Sequence, residues 1–323
     1  MGHIVSRGSP RKSDKGQRYP IDMTSSETTA PGLTNDETSP SHSLTSLPLD
    51  RVYHDVETST YWLPKDEEEQ ERLTVQHLAI KELYNGNVLS RTPEFVDLEK
   101  GCDVLDIGCG SGMWAMDMGM AYPNSKFTGV DIADVRVKNI TLENVTFGYG
   151  NILEKVDFPD NSFDMVHIRL LILALRKEEW PNAIKEGLRL VKPGGILHVM
   201  EYDLLVNGGP VSRKGMQTLR DICHDRGQDP DIAKSLEKYV TEAGASVIQT
   251  DYRYVEFSAP TNLGKKFVWD WKQGFKSGMK MFAPRLGLET PEEQKKFLEE
   301  ISTDMATSGC RTALFGVLAR KPL

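Results

Sequence analysis

The sequence predicts an open α/β domain: a mostly parallel sheet of seven strands with helices on both faces. Three observations carry that expectation. From Gly101 onward, short apolar runs alternate with segments of helical periodicity. The first run ends in a glycine-rich turn that leads into a helix. Near the C-terminal end, "SVIQTDYRYVEFSAP" and "RTALFGVLARK" alternate as a strand pair returning to the sheet edge would.

Residues 1–50 are rich in Ser, Thr, Pro, Gly and charge, lack periodicity, and are expected to form a disordered tail. Their basic residues, Arg7, Arg11, Lys12, Lys15 and Arg18, read as solvating charge in preference to a nuclear address. Residues 51–100 are expected to form a helical lid. Pro64 stands at a first-turn position, Asp66 to Glu69 suit the positive end of a helix dipole, and Leu73, His77, Ile80 and Tyr84 recur at helical spacing up to Asn85-Gly86.

Residues 101–323 hold the main domain, with candidate strands at 102–108, 126–132, 144–150, 163–169 and 195–201 and helices near 112–121 and 178–190. Helical patterns at about 211–225, 230–243, 264–281 and 292–306 follow strand five. They are expected to form an inserted cover over about 204–243 and 264–306. Within it, Trp271, Phe275 and Met279 fall at i, i+4 and i+8, which predicts a buried helix face placed to cap a ligand pocket.

Bulk composition narrows the function. With 323 residues, 39% of them hydrophobic, the chain can bury one sizeable core. A net charge of −8 disfavours a nucleic-acid partner. The four cysteines form neither a C-x-x-C pair nor a disulfide ladder, which fits a reducing compartment. No run is long and apolar enough to span a bilayer, so the expectation is an intracellular protein, in the cytoplasm in preference to the nucleus. No spaced ligand set for a metal is present, and "CHD" at 223–225 is read as a chance neighbourhood.

The chemistry concentrates in "VLDIGCGSGMWAMD", residues 104–117. Gly108, Gly110 and Gly112 place bare backbone at the carboxyl edge of the sheet, where open α/β folds bind ligands. The spacing is G-x-G-x-G, and Met113 replaces the last glycine of a dinucleotide loop, which disfavours nicotinamide-dependent chemistry. Asp106, just ahead of the turn, would repel a pyrophosphate but suits a ligand carrying an ammonium and a sulfonium, S-adenosylmethionine. Asp131, ending strand two, can accept both ribose hydroxyls, while Asn151 and the backbone at Ile152 can meet the adenine.

These residues carry a resemblance. "VLDIGCGSG", "GVDI", "FPDNSFDMVHIR" and "LVKPGGILHVME" resemble, in order and spacing, the class I S-adenosylmethionine-dependent methyltransferases. "YWLPKDEEEQERL" followed by "GMWAMDMGMAYP" resembles the fungal LaeA-like methyltransferase-domain proteins of secondary metabolism, over residues 55–205. The resemblance implies a Rossmann-like fold and places the three glycines under the methionine part of the cofactor, Asp106 near its amino group and Arg169 beside it. It also implies cofactor contacts from Cys109, Trp114, Ile132 and His167, and a lid contributing Tyr61, Arg72 and His77.

Two functions follow as expectations. One is methyl transfer to O, N or C of a small-molecule natural product or metabolite, driven mainly by alignment of acceptor and methyl. The other is cofactor binding by a regulator that acts through protein partners. If an acceptor hydroxyl must lose a proton, His167 and Glu201 are the candidate catalytic groups, since each lies near the ligand-facing end of its strand. His198 reads as packing, and His224 lies outside the matched segment.

Overall fold

The computed structural model describes residues 51–53, 59–133 and 141–323; the tail expected at 1–50 lies outside the described residues. Among the described residues, seven strands form one sheet: β1 (Asp103–Ile107), β2 (Lys126–Asp131), β3 (Val145–Tyr149), β4 (Phe163–Arg169), β5 (Val191–Asp203), β6 (Ser246–Glu256) and β7 (Arg311–Arg320). Their order is β3-β2-β1-β4-β5-β7-β6. β1 to β5 pair in parallel, and β7 runs antiparallel between β5 and β6. The order reverses between β1 and β4, which opens a crevice at their carboxyl ends.

All five parallel strands fall where the apolar runs place them. β5 is longer than expected because "VKPG" already pairs with β4 through a register shift between Phe163 and Met165. A Cβ on Gly195 would stand 2.6 Å from the Asp164 carbonyl oxygen, so the bare glycine lets the two backbones close there.

Among the described residues, eight α-helices cover the sheet and its carboxyl edge: α1 (Glu67–Tyr84), α2 (Met113–Ala121), α3 (Trp180–Leu190), α4 (Pro210–Asp225), α5 (Leu236–Glu242), α6 (Asn262–Ser277), α7 (Met279–Leu286) and α8 (Pro291–Thr307). α3 buries Trp180, Ala183, Ile184 and Leu188, and it approaches β4 and β5 closely because Gly187 has no side chain to meet Ile168 and Leu197. α8 starts on a capping box in which Thr290 and Glu293 satisfy each other's backbone N–H groups.

Three expectations need correction. Asp66, and not a first-turn Pro64, starts α1: its carboxylate accepts from the Glu69 N–H, and Pro64 lies before the helix. The single helix expected at 264–281 is broken at Gly278, where a Cβ would meet Trp62 at 2.5 Å. The inserted cover is also divided. α4, α6, α7 and α8 pack on one another and, through α6, on α1, whereas α5 packs beside α3 and against β6 as part of the sheet's own helical layer.

α1 is clamped to α6 by buried charge. Arg72 bridges Glu69 at 2.6 Å and Asp270 at 2.7 Å, Gln76 donates to Asp270 at 3.1 Å, and Ser277 donates to Glu69 at 2.6 Å. Upstream of α1, the Thr60 hydroxyl donates to the Ala174 carbonyl at 2.8 Å, and the Thr60 carbonyl accepts from Arg226 at 2.9 Å. The segment before α1 is thereby tied across the crevice. Among the described residues, no helix is long and apolar enough to cross a membrane.

Candidate active site

A cavity of about 1330 Å³, open mouth included, occupies the crevice between the carboxyl ends of the strands and α1. Twelve of the residues singled out from sequence line it. From the sheet side come Asp106, Gly108, Cys109, Gly110, Trp114, Asp131, Ile132, Asn151, Ile152 and Arg169; Tyr61 and His77 come from the α1 side.

The loop after β1 takes its shape from backbone freedom. Gly108, Gly110 and Gly112 have φ of 69°, 52° and 75°, the left-handed region that side chains resist. Gly112 does not line the cavity. It starts α2 against the Phe147 ring, which a Cβ would meet at 2.6 Å. Only at Gly110 is the space beyond the missing side chain open enough for ordinary contact, with Leu73 of α1 at 3.5 Å.

Asp131 holds this loop in place: its carboxylate accepts the Gly110 N–H at 2.9 Å and the Ala133 N–H at 3.0 Å. Asp106 differs. It is 4% exposed, its Oδ2 has no hydrogen-bond partner, and it faces the cavity. Burial pushes its carboxyl up to about 7, Arg169 pulls the other way, and the negative Asp131 adds to the rise. A buried, unsatisfied carboxylate on a cavity wall is a site built for a cation.

Asn151 lies on the cavity wall, with its side chain also serving its own loop. Its carbonyl oxygen accepts from the Leu153 N–H at 3.1 Å, and its amide donates to Glu154 at 3.2 Å. His77 sits between two elements of the site. Its Nε2 lies 3.1 Å from Asp117 of α2, and its Nδ1 lies 3.4 Å from the Arg169 guanidinium. Since Arg169 can only donate, Nδ1 accepts and Nε2 carries the proton. Burial, with Arg169 and Lys81 nearby, lowers the imidazole pKa and keeps it neutral.

Besides Gly112, three of the expected site residues do not line this cavity. Arg72 is turned toward α6 and closes the ion network with Glu69 and Asp270; a guanidinium so buried is held by the carboxylates that neutralise it. His167 is completely buried: on the same face of β4 as Arg169 but deeper in the sheet, it lies beneath Trp114, which stacks on it at 4.0 Å, and its Nδ1 lies 3.0 Å from Nδ1 of His198. Glu201 is completely buried behind the turn after β4, where its oxygens accept the Leu171 and Ile172 N–H groups at 2.7 and 3.2 Å. That turn contains Leu170 at φ 59°, so the carboxylate props a strained backbone that itself lines the cavity.

Other lining residues escaped sequence reasoning. Glu69, Leu73 and Gln76 of α1 face the cavity together with His77, on one stripe of the helix. Their i, i+4 and i+7 spacing was the available signal, but a mixed polar and apolar stripe reads equally as a solvated face. A second cavity, about 720 Å³ with its mouth, adjoins the first and shares Tyr61, Leu73, Gln76 and Leu170 with it. Trp271 and Phe275 line it, as the i, i+4 pattern in α6 anticipates; Met279 is buried at the start of α7.

Residues 104–195 match the family model of a methyltransferase domain. Over 201 residues the chain is 31% identical to the methyltransferase str2 of Strobilurus tenacellus, a match covering 61% of this chain and 70% of that one. The chain belongs to the class I S-adenosylmethionine-dependent methyltransferases. The methyltransferase is also 28% identical over 212 residues to pytC of Aspergillus terreus, covering 63% of each chain. With the secondary metabolism regulator laeA of Aspergillus niger it shares 29% identity over 153 residues, 47% of this chain and 39% of the regulator. The match thus spans less than two thirds of pytC and well under half of the regulator. The residues of the methyltransferase's cavity fit the family's cofactor: an unpaired buried carboxylate at Asp106 faces the cavity beside a loop of left-handed glycines.

Proposed function

We propose that the methyltransferase methylates a small-molecule acceptor, a natural product or metabolite, with S-adenosylmethionine in the first cavity and the acceptor in the second. The observation that carries the reading is Asp106 Oδ2, buried on the cavity wall with no partner. An ammonium group there restores the hydrogen bonding that burial removed. In this reading Asp131 accepts the ribose hydroxyls, Asn151 and the Ile152 backbone meet the adenine, and Arg169 stands beside the methionine part. Tyr61 and His77 close the site from the 51–100 segment, which acts as its lid.

When bound, the cofactor supplies a methyl carbon on a positively charged sulfur, already activated for displacement. The chain's own residues then have chiefly to align an acceptor, and neighbouring cavities with shared walls suit that task. α4, α6, α7 and α8 form the acceptor's cover. Neither His167 nor Glu201 is placed to take a proton from an acceptor, since neither lines either cavity.

The test is calorimetric titration with S-adenosylmethionine and S-adenosylhomocysteine, followed by incubation of metabolite extracts with an isotope-labelled methyl donor. Binding that Asp131→Ala weakens tenfold or more, together with a labelled small molecule, supports the reading. Absence of binding ends it. The similarity to laeA supports a second reading, a cofactor-binding regulator acting through protein partners. Label incorporated into no metabolite, with partner capture indifferent to Asp131→Ala, would favour that one.

A further inference from the structure

The second cavity has a chemical character of its own. Trp62, Tyr202, Trp271, Phe275 and Phe282 give it aromatic walls. Their rings pack edgewise or tilted, Trp62 on Phe282 at 6.0 Å, Tyr202 on Trp271 at 5.4 Å and Trp271 on Phe275 at 6.2 Å. Its charged lining groups are Arg72 and Asp270, which lie 2.7 Å apart and neutralise each other. Arg72 is further committed to Glu69, and Asp270 accepts from Gln76 and Tyr202. An anionic ligand finds no unspent counter-charge here, because Arg72 is already shared between two carboxylates.

Two polar groups are unspent. The Nε1–H groups of Trp62 and Trp271 are shielded from water and have no acceptor, and Trp62 as a whole is only 7% exposed. A buried N–H without an acceptor costs more than a hydrogen bond returns on average, so native structures retain such groups where something supplies the acceptor. Indole donates and cannot accept, which fixes the complementary chemistry. Flat apolar walls, no free cation and two waiting donors together select an aromatic molecule that bears an acceptor oxygen and no negative charge.

Resting on the methyltransferase reading above, we propose that the acceptor cavity takes a neutral aryl ketone or aryl ester, its carbonyl oxygen accepting from the indole N–H groups of Trp62 and Trp271. Aryl carboxylates of the same size are excluded by desolvation beside the saturated Arg72–Asp270 pair. The two indoles are specificity-determining residues.

The experiment uses the full chain, with S-adenosylhomocysteine present and absent, and titrates 2,4-dihydroxyacetophenone, resorcinol and 2,4-dihydroxybenzoate by calorimetry. The wild type binds the ketone more tightly than resorcinol, which lacks the carbonyl, and more tightly than the benzoate. Trp62→Phe and Trp271→Phe keep the ring and remove the donor. Each lowers ketone affinity about 3- to 10-fold, the worth of one hydrogen bond, and leaves resorcinol within about twofold. The proposal is overturned if the ketone fails to bind, if the benzoate matches it, or if neither variant affects it. Failure of S-adenosylhomocysteine to bind strikes the methyltransferase reading instead, and the titrations without it still decide this one.

Discussion

Asp106→Asn separates what the carboxylate does for the fold from what it does for the cofactor. The folded carboxyl is raised from 3.8 to about 7, chiefly by burial. A raised pKa means that the folded protein holds the proton more tightly than the unfolded chain. Stability is therefore complete below about pH 4 and declines as pH rises through 7. With about 1.4 kcal/mol for each tenfold change, the charged carboxylate costs the cofactor-free fold on the order of 4 kcal/mol at pH 8. The amide is neutral throughout and nearly isosteric. Cofactor-free Asp106→Asn is expected to melt several degrees above wild type at pH 8, with the gap closing toward pH 4.

Cofactor affinity moves the other way. In the wild type, S-adenosylhomocysteine binding strengthens as pH rises from 6 to 8, because the carboxylate meets the ligand's ammonium only once ionised. In the variant that dependence disappears and affinity falls at least tenfold. Thermal melts from pH 4 to 8.5, with and without S-adenosylhomocysteine, read both effects. A variant that is less stable than wild type at pH 8 and binds the cofactor equally well refutes the assignment of Asp106.

The buried histidine pair gives an opposite acid limb. Burial holds His198 down at about 3 and also lowers His167, so stability is whole above pH 6.5 and is lost as pH falls toward 3. For His198 alone the loss at pH 5 is about 2 kcal/mol, and urea midpoints at pH 7 and 5 should show His198→Asn losing less on acidification than wild type. Arg72→Met leaves Glu69 and Asp270 buried without their cation, and chemical denaturation should find about 3–5 kcal/mol lost. Glu201→Gln can accept only one of the two N–H groups its carboxylate holds and should cost about 1–3 kcal/mol. Turnover of the folded fraction should stay near wild type, and a pH–rate profile displaced by this variant would restore Glu201 to the chemistry.

The sequence showed the sheet most clearly at its centre, where β1 and β4 are buried on both faces and Val104-Leu105 or Val166-His167-Ile168 leave no competing periodicity. The wall of the first cavity was legible for a related reason. Its residues sit at the ends of those strands, so locating a strand locates Asp106, Asp131 or Arg169 within a residue or two. What stayed hidden was direction and distance. His167 and Arg169 differ by two places on one strand, yet one stacks beneath Trp114 and the other faces the cavity. Arg72 has an ordinary place on a helix, and its destination depends on Asp270, 198 residues away. Gly278 looks like a tolerated helix glycine until Trp62 arrives against it.

The long-range pairs that sequence could not reveal are the ones that join the two cavities into one device. α1 presents His77 to the first cavity and Arg72 to the second, less than two turns apart on one rigid helix. His77 touches Arg169 at the end of β4 and Asp117 in the middle of α2, while Arg72 locks α1 to α6, which carries Trp271. A shift of α6 therefore strains the Arg72–Asp270 contact or moves α1, and α1 cannot move without disturbing His77 on the wall of the first cavity. Alignment between the cavities is in this way a property of the α1 clamp. Neither His167 nor Glu201 lines either cavity, so what the structure offers for positioning is the α1 clamp and not those two groups.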